Sequence, residues 1–405
     1  MAIALDKNPL QRAASEGVAA AKAIVGLRRS SYYPQIDATG GYSRWERHIF
    51  LPEGVTRPGM SSTVGPTEDW TASLNLRYSL YDSGKRRAEL MSALFRQQAS
   101  EQTAREIRQD IIQNVHRAYY GYLAAQDANQ IAKQNLRKAE NHLEIAQKRR
   151  SAGQIPQAEV LRVKVDVSEA NLSLVRTQKM IRIAQGQLNR SMGLPAEIPV
   201  SINDQHPAFQ EPTKKRLYSA LQKAVYLRPE LKAALNRISA AKSNIKAAKS
   251  EYGPDVSARA SYGRQDDGFF PNDDSWMVGI FVELPLFDGF ARDNNVRHAK
   301  AQLSEQEALL QNLILEVKQQ VWNDFAKLKE AYQALEATKT IVEEAQEGMR
   351  LTQERYQVGQ STTNDLLDAR TALVRAEGNR AQAGWDYYTA LSDFHRAVGT
   401  FNFDL

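Results

Sequence analysis

The feature that most constrains the fold of this chain is an internal duplication that covers nearly all of its 405 residues. Asn8-Pro9 and Arg228-Pro229 lie 220 positions apart (8 to 228) and begin two similar segments. After the loop that follows, matching residues are separated by a constant 206 positions (70 to 276). The pairs with this separation are Trp70/Trp276, Asp82/Asp288, Arg86/Arg292, Val115/Val321, Arg149/Arg355, Gly153/Gly359, Gln154/Gln360, Leu161/Leu367 and Gly193/Gly399. A separation that holds for about 120 residues indicates a tandem repeat, so we expect two copies of one structural plan.

The duplication sets the predicted domain organisation. Residues 1-193 form the first structural repeat, and residues 214-405 form the second. Residues 194-213 contain prolines at positions 195, 199, 207 and 212. Because proline interrupts helices, this stretch is predicted to be a linker or an equatorial segment.

The start of the chain lacks the features of a secretory signal. Met1 is followed by AIALDK, without a basic beginning or a cleavage site. Lys214 to Val225 is a predicted helix whose counterpart in the first repeat would precede Met1. We therefore expect that about ten residues, and a signal peptide before them, have been removed from the natural start.

Four segments alternate between apolar and polar residues, at about 34-46, 69-81, 254-264 and 275-287. From Trp70 to Leu80, each even position is apolar and each odd position is polar. This period of two predicts strands with one dry and one wet face. Aromatic residues stand near the ends of the apolar faces, as in the interfacial girdle of a membrane protein: Tyr42, Trp70, Tyr78, Tyr262 and Trp276. Strands of about ten residues can cross a bilayer when tilted, whereas a half-buried sheet in a soluble sandwich is the alternative.

The number of predicted strands has a consequence for assembly. An open sheet edge is not tolerated in lipid, and the smallest membrane barrels have about eight strands. Four strands therefore need partners from other copies of the chain. Two copies would give eight strands filled by side chains, and three would give twelve around a pore, so we favour three.

Two long helices are predicted at 84-151 and 291-358, because neither stretch contains proline and both are rich in helix formers. Each would measure roughly 100 Å at 1.5 Å per residue. Each ends at a glycine turn, Gly153 or Gly359, and is followed by a return helix at 155-192 or 361-399. A seam for a neighbouring helix is formed by Leu310, Ile314, Val317, Val321, Phe325, Leu328, Tyr332 and Leu335. Such helices suit the wall of a tube or a non-channel coiled-coil scaffold.

The remaining composition argues against other classes of protein. The net charge of +6 is interspersed along the chain, so no nucleic-acid partner is predicted. The six histidines form no HxH or HExxH pair, and the chain has no cysteine, so no metal site is predicted. No phosphate loop, dinucleotide glycine motif or nucleophile elbow is present. The sequence therefore predicts neither an enzyme nor a cofactor, and a periplasmic or surface enzyme is the least favoured interpretation.

Several short motifs follow one another in a specific order along the chain: Ala4-Leu5 with Asn8-Pro9, Tyr33-Pro34-Gln35-Ile36, Leu284-Pro285-Leu286-Phe287-Asp288-Gly289, and Arg355-Tyr356-Gln357-Val358-Gly359 with Asp365-Leu366-Leu367-Asp368-Ala369. With these motifs the chain resembles, over almost its whole length, the TolC-like outer-membrane efflux protein (outer membrane factor) family. The resemblance implies a mainly α fold with a membrane β-barrel portion. A homotrimer would form one twelve-stranded barrel, four strands per chain, on a long periplasmic α-helical barrel.

The resemblance also implies a function, a location and partners. The trimer would be a passive exit duct in the bacterial outer membrane, in contact with outer-membrane lipid, with its helical part in the periplasm. A periplasmic adaptor (membrane fusion) protein and an inner-membrane transporter would complete a multidrug export or type I secretion system. The transporter would supply the energy and select the exported substrate.

Finally, the resemblance implies a gate at the turns between the long helices and the return helices. Asp365 and Asp368 are three residues apart and would form two rings of carboxylates around the threefold axis. Such rings favour cations, and their mutual repulsion should raise some of their pKa values. Tyr356 and Glu159 would brace the gate, although Ser361 replaces the basic residue that other members carry. The exposed tip, where the adaptor would bind, contains Gly153, Gln154, Val358, Gly359 and Gln360.

Overall fold

The computed structural model describes residues 1–44, 68–202 and 208–401. The first half of the chain contains α1 (Ala2–Lys7), α2 (Pro9–Ser30), β1 (Gln35–Arg44), β2 (Glu68–Tyr81), α3 (Lys85–Ser151) and α4 (Gln157–Ser191). The second half contains α5 (Lys214–Leu227), α6 (Pro229–Ser250), β3 (Asp255–Asp266), β4 (Asp273–Glu283), α7 (Ala291–Gln357) and α8 (Thr363–Val398). No described helix combines the length and apolar character that crossing a membrane requires.

The two halves repeat the same order of elements, and two pairs of equivalent helices have equal lengths. Helices α2 and α6 have 22 residues each, and α3 and α7 have 67 each. The compact units do not follow the repeats, however. One unit contains residues 1–17, 101–233 and 310–405, and the other contains 18–100 and 234–309. Each unit draws on both repeats, because α3 and α7 each contribute residues to both units.

The second unit contains a four-stranded antiparallel sheet in the order β1-β2-β3-β4. Tyr42 lies opposite Trp70, Leu74 lies opposite Tyr262, and Tyr262 lies opposite Trp276. Since cross-strand partners point to the same side, the even-numbered apolar residues of all four strands share one face. The predicted four strands are thereby confirmed, together with their apolar and polar faces.

The ends of two strands differ from the predicted ranges. Strand β4 ends at Glu283, and not at position 287, because Pro285 has no N–H for a strand ladder. In β2 the register shifts between Ser79 and Tyr81, so that Tyr81, and not Leu80, lies opposite Val256. A bulge of this kind inserts one extra residue and reverses the alternation beyond it. Positions 45 and 46 of the first predicted strand, and the loop at 47–67, lie outside the described residues.

In the second unit, an arginine makes the same contacts at the corner between strand and helix in each of the two repeats. We call this arrangement the clamp. Arg86 donates through Nε to Asp82 (2.9 Å) and through Nη1 to the Ser79 carbonyl (2.8 Å). Its guanidinium carbon lies 5.1 Å from the centre of the Tyr32 ring. In the second repeat, Arg292 donates to Asp288 (2.7 Å) and to the Pro285 carbonyl (2.5 Å), over Tyr252 at 5.3 Å. The duplicated sequence therefore produces duplicated side-chain contacts.

The first unit has an apolar core built along the predicted seam of α7. Val317, Val321 and Leu328 are buried against residues of α5, α6 and α8. A second cluster packs α1 and α4 against α3, with Ala4, Ile111 and Leu188 buried. These clusters show that the long helices pack side by side with their neighbours, as the spacing of apolar residues predicts.

Candidate functional site at the turns of the long helices

In the first unit, one glycine turn connects each long helix to its return helix. Gly153 and Gly359 have φ values of +72° and +77°, a conformation that favours glycine. At the first turn, Gln154 N–H donates to the Arg149 carbonyl (2.9 Å), and at the second, Gln360 N–H donates to the Arg355 carbonyl (2.8 Å). These six-residue closures satisfy the last carbonyl groups of α3 and α7. We call residues 153–156 the first tip turn and residues 359–362 the second.

One arginine joins the ends of the two long helices. The Arg149 guanidinium lies 4.7 Å from the centre of the Tyr356 ring. Its nitrogens also approach the carbonyl oxygens of Tyr356 and Gln357 at 3.5 and 3.4 Å. The contact connects the end of α3 to the end of α7. A cation over an aromatic face contributes about 0.5–1 kcal/mol at an exposed site.

Asp365, the first predicted gate carboxylate, caps the return helix α8. Its Oδ2 accepts from the Thr362 N–H (2.8 Å), the Thr362 hydroxyl (2.8 Å) and the Ser361 hydroxyl (3.0 Å). In return, the Thr362 hydroxyl oxygen accepts from Asp365 N–H, which completes a capping box. The Thr362 N–H, and then the two hydroxyls, lower the pKa of Asp365. The carboxylate therefore stays ionised at neutral pH while it holds the start of α8.

Asp368, the second predicted gate carboxylate, lies one turn farther along α8. Both aspartates are exposed, whereas Leu366 between them is buried. The spacing of three residues places the two carboxylates on the same side of the helix. One chain therefore presents a pair of carboxylates on a surface that its own core does not cover. The formation of rings by these carboxylates stays a prediction.

The two predicted bracing residues, Glu159 and Tyr356, each contact another residue in the structure. Glu159 lies in the first turn of α4 and faces Arg162 of the same helix at 3.5 Å. Tyr356 packs under Arg149 and against the apolar cluster of Met349, Leu366 and Leu373. A brace between Tyr356 and Glu159 stays a prediction, and the structure adds Arg149 to the group.

The predicted adaptor surface is open in the single chain. Gly153, Gln154, Gly359 and Gln360 are exposed, and Val358 retains 70% of its surface. Water does not stabilise an exposed apolar side chain such as Val358, so its burial by a partner would be favourable. Adaptor binding by these residues stays a prediction.

The predicted aromatic girdle lies on the apolar face of the sheet. The Tyr42 and Trp70 rings contact each other with centres 4.5 Å apart, and Phe269 stands edge-on to Trp70 at 4.8 Å. Trp276 and Val278 on the edge strand β4 retain 72% and 73% of their surface. On the opposite face, the Thr39 and Ser73 hydroxyls hydrogen bond at 2.8 Å. The sheet thus has one wide apolar face and one polar face with its own hydrogen bonds.

Two further observations bear on chemistry within the described residues. No group of three or more histidine, cysteine, aspartate and glutamate side chains is arranged there to hold a metal ion. His116 Nδ1 lies 2.9 Å from the Ser392 hydroxyl, but Ser392 is buried, and the Asp393 carboxylate accepts from Arg117 and Gln113. This serine and histidine therefore form a packed polar contact, without access for a substrate.

Sequence reasoning did not identify two arginines that the structure places between the helices near the turns. Arg149 was visible as half of the repeated pair Arg149/Arg355, but the repeat does not reveal which half meets Tyr356. Arg370, on α8, pairs with Asp166 on α4. Contacts between different helices follow no fixed sequence spacing, so neither partner could be read from the chain.

Comparisons with known proteins agree with this geometry. A family model described as outer membrane efflux protein matches residues 2–194 and 220–400. The chain is 26% identical over 378 residues to protein CyaE of Bordetella pertussis, which covers 92% of this chain and 77% of CyaE. It is 24% identical over 395 residues to the probable efflux pump outer membrane protein TtgC of Pseudomonas putida, covering 96% and 79% of the two chains.

Solved structures share the fold. The outer-membrane channel OprN superimposes with a TM-score of 0.81 at 21% identity, over 98% of this chain and 88% of OprN. The CmeC outer membrane channel of Campylobacter jejuni gives a TM-score of 0.81 at 18% identity, over 98% and 84%. Since the family model covers both repeats, this chain belongs to the outer membrane efflux protein family.

Proposed function

We propose that this chain is one subunit of a homotrimeric outer-membrane channel, the passive exit duct of a tripartite efflux or secretion system. The observation that supports the proposal most directly is the exposure of the sheet. Its apolar face is exposed in one chain, and its outer strands β1 and β4 each pair on one side within the described sheet. Lipid can cover the apolar face, and strands from neighbouring copies can pair with the two edges.

The number of copies follows from what the sheet must enclose. Three chains give twelve strands, and twelve strands surround a pore that eight would fill with side chains. The polar face, which includes Thr39, Ser73 and Asn75, would then line the water-filled interior. A coiled-coil scaffold would not require a sheet with one apolar and one polar face.

The helices supply the second part of the proposal. In the trimer, α3, α4, α7 and α8 of each chain would form a twelve-helix periplasmic tube. Asp365 and Asp368 would form carboxylate rings where the tube narrows, and the rings would favour cations. The exposed tip turns would bind a periplasmic adaptor protein, and an inner-membrane transporter would drive export. The relatives named as efflux pump outer membrane proteins support this assignment.

Oligomeric mass in detergent is the first test of this proposal. Light scattering on detergent-purified protein, corrected for bound detergent, should give three copies of the 45.5 kDa chain. We expect precipitation when the detergent is removed and incorporation when lipid replaces it. A monodisperse monomer that stays in solution without detergent contradicts the proposal.

A pair of neighbouring substitutions on β4 tests which face meets lipid. Val278→Arg puts a charge on the apolar face, and this should cost about 2–4 kcal/mol near the middle of the bilayer and prevent stable insertion. Met277→Arg, one residue away on the opposite face, should insert like the unmodified protein. Equal insertion by the two variants would show that the faces are not exposed to lipid and water as proposed.

A further inference from the structure

Two arginines lie directly opposite each other on the polar face of the sheet. Arg77 of β2 is the partner of Arg259 of β3 in the antiparallel ladder. Residues paired in this way have Cβ atoms about 4.5–5.5 Å apart, and two like charges in such a pair are destabilising. The fold therefore brings two cations together at a point where their repulsion opposes folding.

The row of hydrogen-bonded partners that contains this pair has no negative charge. Gln35 of β1 lies opposite Arg77, and Gly279 of β4 lies opposite Arg259. Within the described residues, neither arginine forms an ion pair with a carboxylate. The two guanidinium groups are therefore not neutralised by the strands on either side of them.

The nearest acidic residues of the polar face have other partners or lie farther away. In the adjoining row, the Asp37 carboxylate accepts from the Asn75 amide at 3.3 Å. Asp255 lies four positions before Arg259 on β3, which is roughly 13 Å along a strand, and Glu283 lies opposite Asp255. The charge balance at the arginine pair therefore requires an anion from outside the sheet.

Packing holds Arg259 in position for such an anion. Its guanidinium carbon lies 4.8 Å from the centre of the Phe281 ring on β4. Gly279 leaves room for that ring, because a Cβ at this position would lie 3.1 Å from Cε2 of Phe281. The Arg259 Nε atom is buried and has no hydrogen-bond partner in the part of the chain that the structure describes. The arrangement fixes a cation whose hydrogen-bonding capacity is not used within the chain.

The guanidinium group determines which ligand fits. Its N–H donors form a planar fork that matches the oxygens of phosphate and carboxylate groups. Arg77 is exposed and Arg259 is partly buried, so a ligand can approach both from the polar face. A compact oxyanion with more than one negative charge would bond to both arginines and would remove their mutual repulsion.

We propose that Arg77 and Arg259 form a binding site for multivalent oxyanions on the polar face of the sheet. This inference rests on the proposed channel function, in which the polar face lines a water-filled barrel and the pair is repeated three times around it. Positive side chains that line a pore favour anions. Lipid would meet the opposite face, so the ligand is an anion dissolved in the duct. The site is distinct from the predicted carboxylate rings, whose residues lie on α8.

Calorimetric titration of inorganic tripolyphosphate into trimers in an uncharged detergent tests the site without requiring a current. The unmodified protein should bind the anion, and added salt should weaken the binding. Arg77→Gln should raise the Kd about tenfold, because one of two charged donors is lost. Arg264→Gln is the matched control, since Arg264 lies on the apolar face of the same strand as Arg259 and pairs with Asp274 at 3.2 Å. It should leave the Kd unchanged.

The outcomes separate the anion site from the channel. If unmodified trimers conduct in a planar bilayer but bind no tripolyphosphate, or bind it equally after Arg77→Gln, the site is wrong and the channel stands. If Arg264→Gln weakens binding as much as Arg77→Gln, the loss reflects overall charge and the site is overturned. If binding depends on Arg77 but the trimers carry no current, the channel is wrong and the anion site is supported.

Thermal unfolding provides a second measurement that does not depend on affinity alone. Arg77→Gln removes the repulsion within the pair, so without anion it should unfold at a slightly higher temperature than the unmodified protein. Tripolyphosphate should raise the unfolding midpoint of the unmodified protein, because it binds the folded state. It should not change the midpoint of Arg77→Gln/Arg259→Gln. An equal rise in the two proteins would overturn the site.

Discussion

At the scale of single residues, Asp365 has one structural role and one proposed role. Its carboxylate caps α8 through Thr362 and Ser361, and in the proposed trimer it faces the same group of two other subunits. The repulsion expected in a ring raises the pKa of a carboxylate, whereas the capping hydrogen bonds lower it. The capping hydrogen bonds therefore oppose the protonation that repulsion within a ring would favour.

The first prediction separates the cap from the gate. Thr362→Ala removes the capping hydroxyl and should destabilise the start of α8 by about 1 kcal/mol, measured by faster amide exchange there. Asp365→Asn/Asp368→Asn should lower the cation selectivity of the channel, because the carboxylate charge is lost. If Thr362→Ala lowers selectivity to the same extent, the effect belongs to the helix cap, and Asp365 and Asp368 are not gate residues.

The second prediction concerns pH. Burial lowers the pKa of His116, which contacts Ser392, and of His395, where Arg216 adds to the effect. Their folded-state pKa values lie below the unfolded ones, so in acid the unfolded chain binds more protons. Stability is complete above the ordinary histidine pKa and is lost as the pH falls below it.

Thermal unfolding midpoints at about pH 7.5 and about pH 5.5 measure this loss. His116→Asn keeps a polar group for Ser392 and should reduce the difference between the two midpoints. His298→Asn is the control, because His298 is exposed on α7. An unchanged pH dependence in His116→Asn would contradict the assignment of acid sensitivity to the partly buried histidines His116 and His395.

At the scale of elements, equivalent positions of the repeat meet different surroundings. Gly193 and Gly399 follow the return helices with φ values of +77° and +78°. A Cβ at Gly193 would lie 2.6 Å from the Lys7 carbonyl oxygen and 2.7 Å from Asn8 Cα. At Gly399 the nearest atoms, from Leu227 and Arg228, are at 3.3 Å. The backbone geometry is the same, but the space beside it is not.

The third prediction follows from this difference. Gly399→Ala should cost about 1–2 kcal/mol, the strain of a left-handed alanine. Gly193→Ala should cost more, about 3 kcal/mol or above, because backbone atoms must also move. Chemical denaturation of the two variants in the same detergent measures both costs. Equal losses would show that the close approach at Gly193 does not constrain α1.

The order of elements could be predicted from the sequence because it depends on local signals. Proline-free stretches predicted the long helices, and alternation predicted the four strands and their faces. The Arg86 clamp could not be predicted in the same way, since it depends on Ser79 and Tyr32 meeting in space. The bulge in β2 leaves no local signature either, so the reversal of alternation at Tyr81 appears only in the folded sheet.

The candidate site was predictable to a smaller extent. The repeated glycines located the tip turns, and the family resemblance, together with a spacing of three, placed Asp365 and Asp368 on one side of α8. The partners of Tyr356 and Arg370 come from other helices, and packing between helices has no sequence period that identifies them. For the same reason, the compact units cross the boundary between the repeats that the sequence marks clearly.

At the scale of the whole molecule, the proposed channel depends on surfaces that one chain leaves uncovered. The sheet exposes Trp276, Val278 and Ile280 on one face. Burying such side chains in lipid contributes roughly 1.5–3 kcal/mol each. Neighbouring copies would remove the open edges at β1 and β4, and the long helices would then enclose a passage. Membrane insertion, trimer formation and conduction are therefore linked predictions.

The most direct measurement of the central claim is the ionic current through detergent-purified, trimeric protein added to one side of a planar lipid bilayer. We predict discrete, cation-selective current steps of uniform size, because three sheets close one pore and the carboxylate rings favour cations. Trimers that incorporate into the bilayer and carry no current steps would contradict the account.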